Sequence, residues 1–196
     1  MANITKPKSR QPIPKKAVKV FDGVIFSVYQ WDQILYDGTT ARFEKLTRDD
    51  TVSVFPITSD KKIVLTKQEQ PGIEAFISEA GGAIEKDEDI LACAYREMVE
   101  ETGYETENFD FWFSTQPSSK INSGMYCFFG RNASKTRETN PDGGERIEVF
   151  EVSFEEFIDV CADPLFRNTE VAMRVLRAAR KSDELKHLKR LFLEGN

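Results

Sequence analysis

The sequence predicts an α+β domain in which a mixed β-sheet is sandwiched by helices, a layered α/β/α arrangement. Many short runs rich in β-branched and aromatic residues read as strands. Helical patterns are few and segregated, at 88–102, 154–162 and about 168–192, rather than alternating with every strand as in a doubly wound fold. At 196 residues and 22.4 kDa, the chain is long enough for one substantial core and too short for two ordinary domains plus a linker.

Each element follows in order. Residues 1–20 carry six Lys/Arg and no acid, together with Pro7, Pro12 and Pro14. This reads as an extended basic arm, either solvated, laid across a second subunit or steering an anionic ligand. "GVIFSVYQW" (23–31) and "ARFEKL" (41–46) flank an Asp-Gly turn and suggest a hairpin. The expected division is therefore 1–47 as arm and antiparallel β extension, and 48–196 as the main domain. "TVSVFPI" (51–57) and "KIVLTKQ" (62–68) flank a polar turn and suggest a second pair. "EAFIS", "DFWFSTQ", "MYCFFGR" and "RIEVFEV" are further strands. Ser153 followed by Glu156 is a capping box that opens the helix at 154.

Several classes fall away. No apolar run reaches the length of a membrane span, and the basic N-terminus lacks the apolar stretch of a secretory signal. Cys93, Cys127 and Cys161 are odd in number and widely spaced, as expected of a reduced, cytoplasmic protein. A net charge of −6 makes nucleic acid an unfavoured partner. His187, the single histidine, sits in a Lys-rich helical stretch and is expected to be exposed and idle.

The segment from Gly82 to Gly103 carries seven acidic and two basic residues. On a helix Glu97 and Glu101 lie about 40° apart in projection, and Glu100 about 60° from Glu97. Like charges at this spacing repel by a few tenths of a kcal/mol when exposed. One reading is a surface helix with acids facing water. The other is a hard divalent cation, Mg²⁺ or Mn²⁺, which takes carboxylate oxygens and keeps waters for a phosphate substrate.

Gly82, Glu88, Arg96, Glu97, Met98, Glu100, Glu101, Gly103 and Tyr104 stand at the spacing of the Nudix box, with Tyr104 where an aliphatic residue is usual. With seven fixed residue types, a chance match is of order 10⁻⁸ per window. The chain thus resembles the Nudix hydrolases, and its strand order is similar to theirs over about residues 45–190. The resemblance implies a layered Nudix fold and hydrolysis of a nucleoside diphosphate linked to another moiety. It implies Glu97, Glu101 and Glu100, with the carbonyl near Gly81, as metal ligands. Arg96 is suited to holding these carboxylates or Glu88, while Gly82 and Gly103 shape the loops on either side of the helix.

A general base is expected from the polar segment 133–152, with Glu145 first, Glu148 second and Glu138 third. Alternatively the box glutamates, Glu100 among them, orient the water. The region before residue 50 resembles that of ADP-ribose and nucleotide-sugar pyrophosphatases, which commonly dimerise through exchanged N-terminal strands. This implies a homodimer, Arg48 on phosphate, Trp31 stacked on a purine and Pro117 near the ligand. The other readings are an exposed Arg48 beside Asp49 and Asp50, and a Trp31 in the core or an interface. Gln70 takes a place where that group often has a phosphate-binding arginine, so Lys67, Lys120 or the basic arm is expected to compensate. ADP-ribose or a related nucleoside diphosphate sugar is the expected substrate. The alternatives are a nucleoside triphosphate or capped-RNA pyrophosphohydrolase, and a non-catalytic ADP-ribose sensor.

Overall fold

The computed structural model describes residues 4–140 and 144–195. In chain order the elements are β1 (Val18–Asp22), β2 (Ser27–Ile34), β3 (Thr40–Thr47), β4 (Thr51–Thr58), β5 (Ile63–Gln70), β6 (Ile73–Ser78), α1 (Ile90–Thr102), β7 (Tyr104–Glu105), β8 (Phe109–Thr115), β9 (Ile121–Asn122), β10 (Met125–Lys135), β11 (Arg146–Val152), α2 (Phe154–Ala162), α3 (Thr169–Ala179) and α4 (Ser182–Leu193).

The larger sheet is mixed and splits into two wings. On one wing β10 pairs in parallel with β4 and antiparallel with β8. On the other, β5 pairs antiparallel with β11 on one edge and β6 on the other. The wings meet where Ile57 of β4 opposes Ile63 of β5. The expected hairpin of 51–57 and 62–68 therefore exists only at its tip, and the two strands then diverge. The edge of β4 exposed by this divergence is covered by the residues before α1: Val54 N–H donates to Ala80 O (2.7 Å) and Val52 N–H to Gly82 O (3.0 Å).

Side-chain alternation sets the layers. Even residues of β4 and β10 (Val52, Val54, Tyr126, Phe128) pack with Cys93, Ala94 and Met98 of α1. Odd residues (Phe55, Ile57, Cys127, Phe129) pack with α2, α3 and α4. Both faces are covered, which is why these strands read as continuous apolar runs. Helix α1 begins at Asp89, whose carboxylate accepts from the N–H groups of Leu91 and Ala92. It ends at Gly103 in the left-handed region, φ 71°. The capping box of Ser153 and Glu156 forms as expected.

The helix expected over 168–192 is two helices, broken at Arg180 and Lys181. A continuous helix would run about 36 Å and carry its last turns away from the sheet. The break returns α4 to the core, where Phe192 is fully buried against Phe55, Phe129, Phe154 and Phe157.

The smaller sheet has the order β1-β2-β3-β9. The hairpin of β2 and β3 forms in register from Ser27↔Thr47 to Ile34↔Thr40. Strand β1 extends it from within the stretch expected to be an arm. The preceding residues are not simply solvated. Ile4 packs on the α1-side cluster, Lys6 pairs with Asp50 at 2.8 Å, and Arg10 N–H donates to Gln116 Oε1 at 3.1 Å. Buried Lys45 donates to Ser9 Oγ (2.7 Å) and Gln11 O (2.6 Å). With no carboxylate partner among the described residues, its ammonium takes its acceptors from the arm, and burial lowers its pKa.

Candidate active site

Divergence of β4 from β5 opens a cleft of about 500 Å³, lined by Thr51–Ser53, Gln68, Gln70, Phe76, the turn at 78–83, Arg96, Glu97, Glu101, Glu145, Arg48 and Arg167. Helix α1 presents the box along one side. The N-terminal half of its acidic face is organised by Arg96. Its Nε and Nη2 donate to the two oxygens of Glu88 (2.8 and 3.0 Å), and its Nη1 donates to Glu97 (2.7 Å) and Glu100 (3.2 Å). The fork holds the Glu88 carboxyl down at about 2, aided by the Glu85 N–H. Glu88 in turn fixes the guanidinium, so Arg96 is a positioning group that is saturated by carboxylates.

Glu101 lies deeper and is 9% exposed. Its oxygens accept from Gly81 N–H (2.9 Å) and Gln68 Nε2 (3.2 Å). Burial pushes its pKa up to about 8, and the neighbouring charge of Glu97 adds to the rise. Glu97 is also raised, first by burial, against the opposing pull of Arg96. A Cβ at Gly82 would collide with the Glu97 carboxylate, and one at Gly81 with the carbonyl of Val52. Because Val52 and Val54 bond to the carbonyls of Gly82 and Ala80, that of Gly81 is left out of the pairing with β4. Two desolvated carboxylates and a spare carbonyl are hard oxygen donors suited to Mg²⁺ or Mn²⁺. Among the described residues no three acidic, His or Cys side chains already form a metal cage; Glu97 and Glu100 are turned to Arg96 and Glu101 to Gly81. Glu100 is the most exposed of the three and stands outside the cleft lining.

The base candidates separate by strand alternation. Ile147 and Val149 of β11 pair with Gln68 and Thr66, so Glu145, just before the strand, falls on the cleft side. Its carboxylate accepts from Gln70 Nε2 at 2.7 Å. Glu148 pairs in register with exposed Lys67 and points to the other face. Glu138 is exposed beside Lys135. The segment before Glu145 is tied to the end of α1 by Thr136 N–H to Gly103 O and Asn140 N–H to Glu100 O. Residues 141–143 of the polar segment expected to carry the base lie outside the described residues.

The family model described as the NUDIX domain matches residues 47–175. The chain belongs to the Nudix family and is a Nudix hydrolase. Among similar proteins, a methanol dehydrogenase activator of Bacillus methanolicus is 27% identical over 176 residues, covering 88% of this chain and 94% of that protein. An ADP-ribose pyrophosphatase of Bacillus subtilis (strain 168) is 29% identical over 144 residues, covering 70% of this chain and 76% of that protein. The crystal structure of an ADP compounds hydrolase superposes with a TM-score of 0.68 at 19% identity, over 91% of this chain and 98% of that one, which shows the shared fold.

Other expected residues of this Nudix chain are distributed unevenly. Arg48 borders the cleft with its guanidinium 5.8 Å from the Phe26 ring and without a carboxylate partner among the described residues. Pro117 lines a small neighbouring cavity with Arg48. Trp31 is 4% exposed, packed by Phe43 in the small sheet, and does not line the cleft. Lys67 faces the wrong side of its strand, and Lys120 sits over Phe43. His187 is exposed, beside Arg190.

Four groups were missed by the sequence reading. Gln68 shares a face of β5 with Thr66 and Gln70, but the intervening Lys67 and Glu69 are polar too, so no alternation in the sequence singled it out. Glu79 is 3% exposed, held by the Asn168 amide, with its second oxygen unpartnered among the described residues; burial raises its pKa. Asn168 and Arg167 come from beyond α2 and carry no local sequence signal.

Proposed function

We propose that this Nudix hydrolase cleaves the pyrophosphate bond of ADP-ribose or a related nucleoside diphosphate sugar, giving a nucleoside monophosphate and a sugar phosphate. The observation that carries the reading is the convergence, in one cleft, of the desolvated Glu97 and Glu101, the spare Gly81 carbonyl, and Glu145 held by Gln70. Relatedness to an ADP-ribose pyrophosphatase supports the choice of substrate.

Glu97, Glu101 and the Gly81 carbonyl would hold a divalent cation, Mg²⁺ or Mn²⁺, with Glu100 joining from the rim. Such an ion, when bound, offsets phosphate charge and lowers the pKa of a coordinated water. The rest is done by the chain. Arg96 and Glu88 keep the carboxylates in place. Glu145, aimed by Gln70, accepts the proton of the attacking water. Arg48 binds phosphate from the small-sheet side, next to Pro117. The raised pKa of Glu101 fits this role, because a cation removes the penalty on its ionised form.

Two accompanying assignments belong to the same reading. The small sheet exposes Val18, Val20, Phe21, Ile25 and Ile34, an apolar surface that a second copy of the chain would cover in a homodimer. Three buried free thiols suit a reducing cytoplasm. No helix among the described residues is long and apolar enough to cross a membrane.

The test is a product screen with Mg²⁺ or Mn²⁺ against ADP-ribose, ADP-glucose, GDP-mannose, UDP-glucose, dinucleoside polyphosphates and nucleoside triphosphates, resolved by chromatography. Nucleoside monophosphate plus sugar phosphate is expected. Pyrophosphate released from triphosphates alone, or ADP-ribose binding without turnover, would overturn the proposal.

A further inference from the structure

Three arginines line the cleft, and they are not equivalent. Arg96 is saturated by Glu88, Glu97 and Glu100. Arg48 and Arg167 have no carboxylate partner among the described residues. Gln70 is neutral and its amide is committed to Glu145. The cleft therefore carries its uncommitted positive charge at two places, and Arg167 stands on the wing formed by β5 and β6.

Its position is built rather than incidental. Ile77 N–H donates to Leu165 O (2.8 Å) and Arg167 N–H donates to Ile77 O (2.9 Å), so residues 165–167 run beside β6 like an added strand. Phe166 turns inward, buried against Phe157 at 6.0 Å between ring centroids. Alternation then sends Arg167 outward to the cleft side, where its guanidinium lies 4.5 Å from the centroid of the Phe76 ring. Phe76 pairs in register with Gln68, the residue that bonds Glu101. Arg167 is thus two side chains removed from the box carboxylates, its guanidinium held over an aromatic face in a contact that uses none of its N–H donors.

We propose that Arg167, stacked on Phe76, is a substrate-binding residue that takes a phosphate oxygen of the ligand's diphosphate, opposite Arg48. The proposal rests on the reading of the cleft as a nucleoside diphosphate sugar site. It makes the C-terminal segment after α2 part of the binding machinery and supplies the cation that Lys67 and Lys120 do not. One free arginine on each wing lets the ligand bridge β4 and β5 across their divergence.

The experiment is steady-state kinetics of Arg167→Ala and Arg167→Lys on the nucleotide sugar found in the screen, with ADP and inorganic pyrophosphate binding measured in parallel by calorimetry. Loss of one charge-assisted phosphate contact should raise KM roughly 10- to 100-fold with kcat nearly unchanged. Arg167→Lys should recover part of this, since it keeps the charge but not the fork. The melting temperature and the Mg²⁺ concentration for half-maximal rate should stay at the native values, as a purely structural role would not allow. An unchanged KM, or a fall in kcat alone, overturns the proposal. Failure of the underlying reading looks different: the native protein then cleaves no nucleotide sugar, and Arg167 is judged by whether Arg167→Ala still binds ADP and pyrophosphate as the native protein does. Equal binding overturns it there too.

Discussion

Replacing Glu101 by Gln removes a carboxyl that the fold holds in an unfavourable place, so the metal-free protein should become more stable as it loses function. The Glu101 pKa is about 8 in the folded chain against an ordinary 4.5. Protons are thus bound more tightly in the folded state, and stability falls as pH rises from the ordinary value through the raised one. At pH 7 the 2.5 units between 4.5 and 7 correspond to about 3 kcal/mol against the native chain. Gln keeps an acceptor for Gly81 N–H but turns an amide toward Gln68, forfeiting about 1 kcal/mol from the 3.2 Å bond. The net gain should be near zero around pH 5 and about 2 kcal/mol at pH 7, or roughly 4–8 °C in Tm for a chain of this size. Thermal and urea unfolding in a chelating buffer from pH 5 to 8 measure it. Adding Mg²⁺ should reverse the order by stabilising the native chain more, and Glu101→Gln should lose most turnover. A stability difference that does not change with pH, or a variant less stable at every pH, would refute the claim that desolvation dominates this carboxylate.

Other outcomes follow from the same geometry. Glu145→Gln should lower kcat by about 10²–10⁴ with little change in KM, whereas Glu148→Gln, on the opposite face of β11, should leave the rate and pH profile as they were; the reverse pattern would move the base. Arg96→Lys loses the fork that orders Glu88 and Glu97 and should raise the Mg²⁺ concentration for half-maximal activity roughly 10- to 100-fold, read from activity against metal concentration. Trp31→Ala should cost about 3–5 kcal/mol in denaturant unfolding, as for a buried aromatic, without raising KM for substrate. A raised KM in a stable variant would restore Trp31 to the ligand.

What can be read from a sequence is what neighbouring residues impose on one another. The seven fixed box positions, the helix face shared by Glu97, Glu100 and Glu101, the capping box of Ser153 and Glu156, and the β2–β3 hairpin are all local, set by helical rotation, strand alternation and turn chemistry over a few residues. From these the family, the layered fold and the acidic chemistry of the site followed. Tertiary structure alone decided the rest. Glu145 and Glu148 are three residues apart and equally acidic, and only the register of β11 on β5 sends the first to the cleft and the second away from it. For Trp31 the sequence left a ligand platform and a core or interface position both open, and the tertiary structure buries its ring against Phe43. Arg167 is distant from the box along the chain and reaches the cleft because Phe166 must be buried and residues 165–167 complete the hydrogen bonding of β6. The cleft itself exists because β4 and β5, consecutive in sequence, each pair better with β10 and β11 than with each other. Long-range pairing and burial, which no short window of sequence contains, chose the residues that face one another.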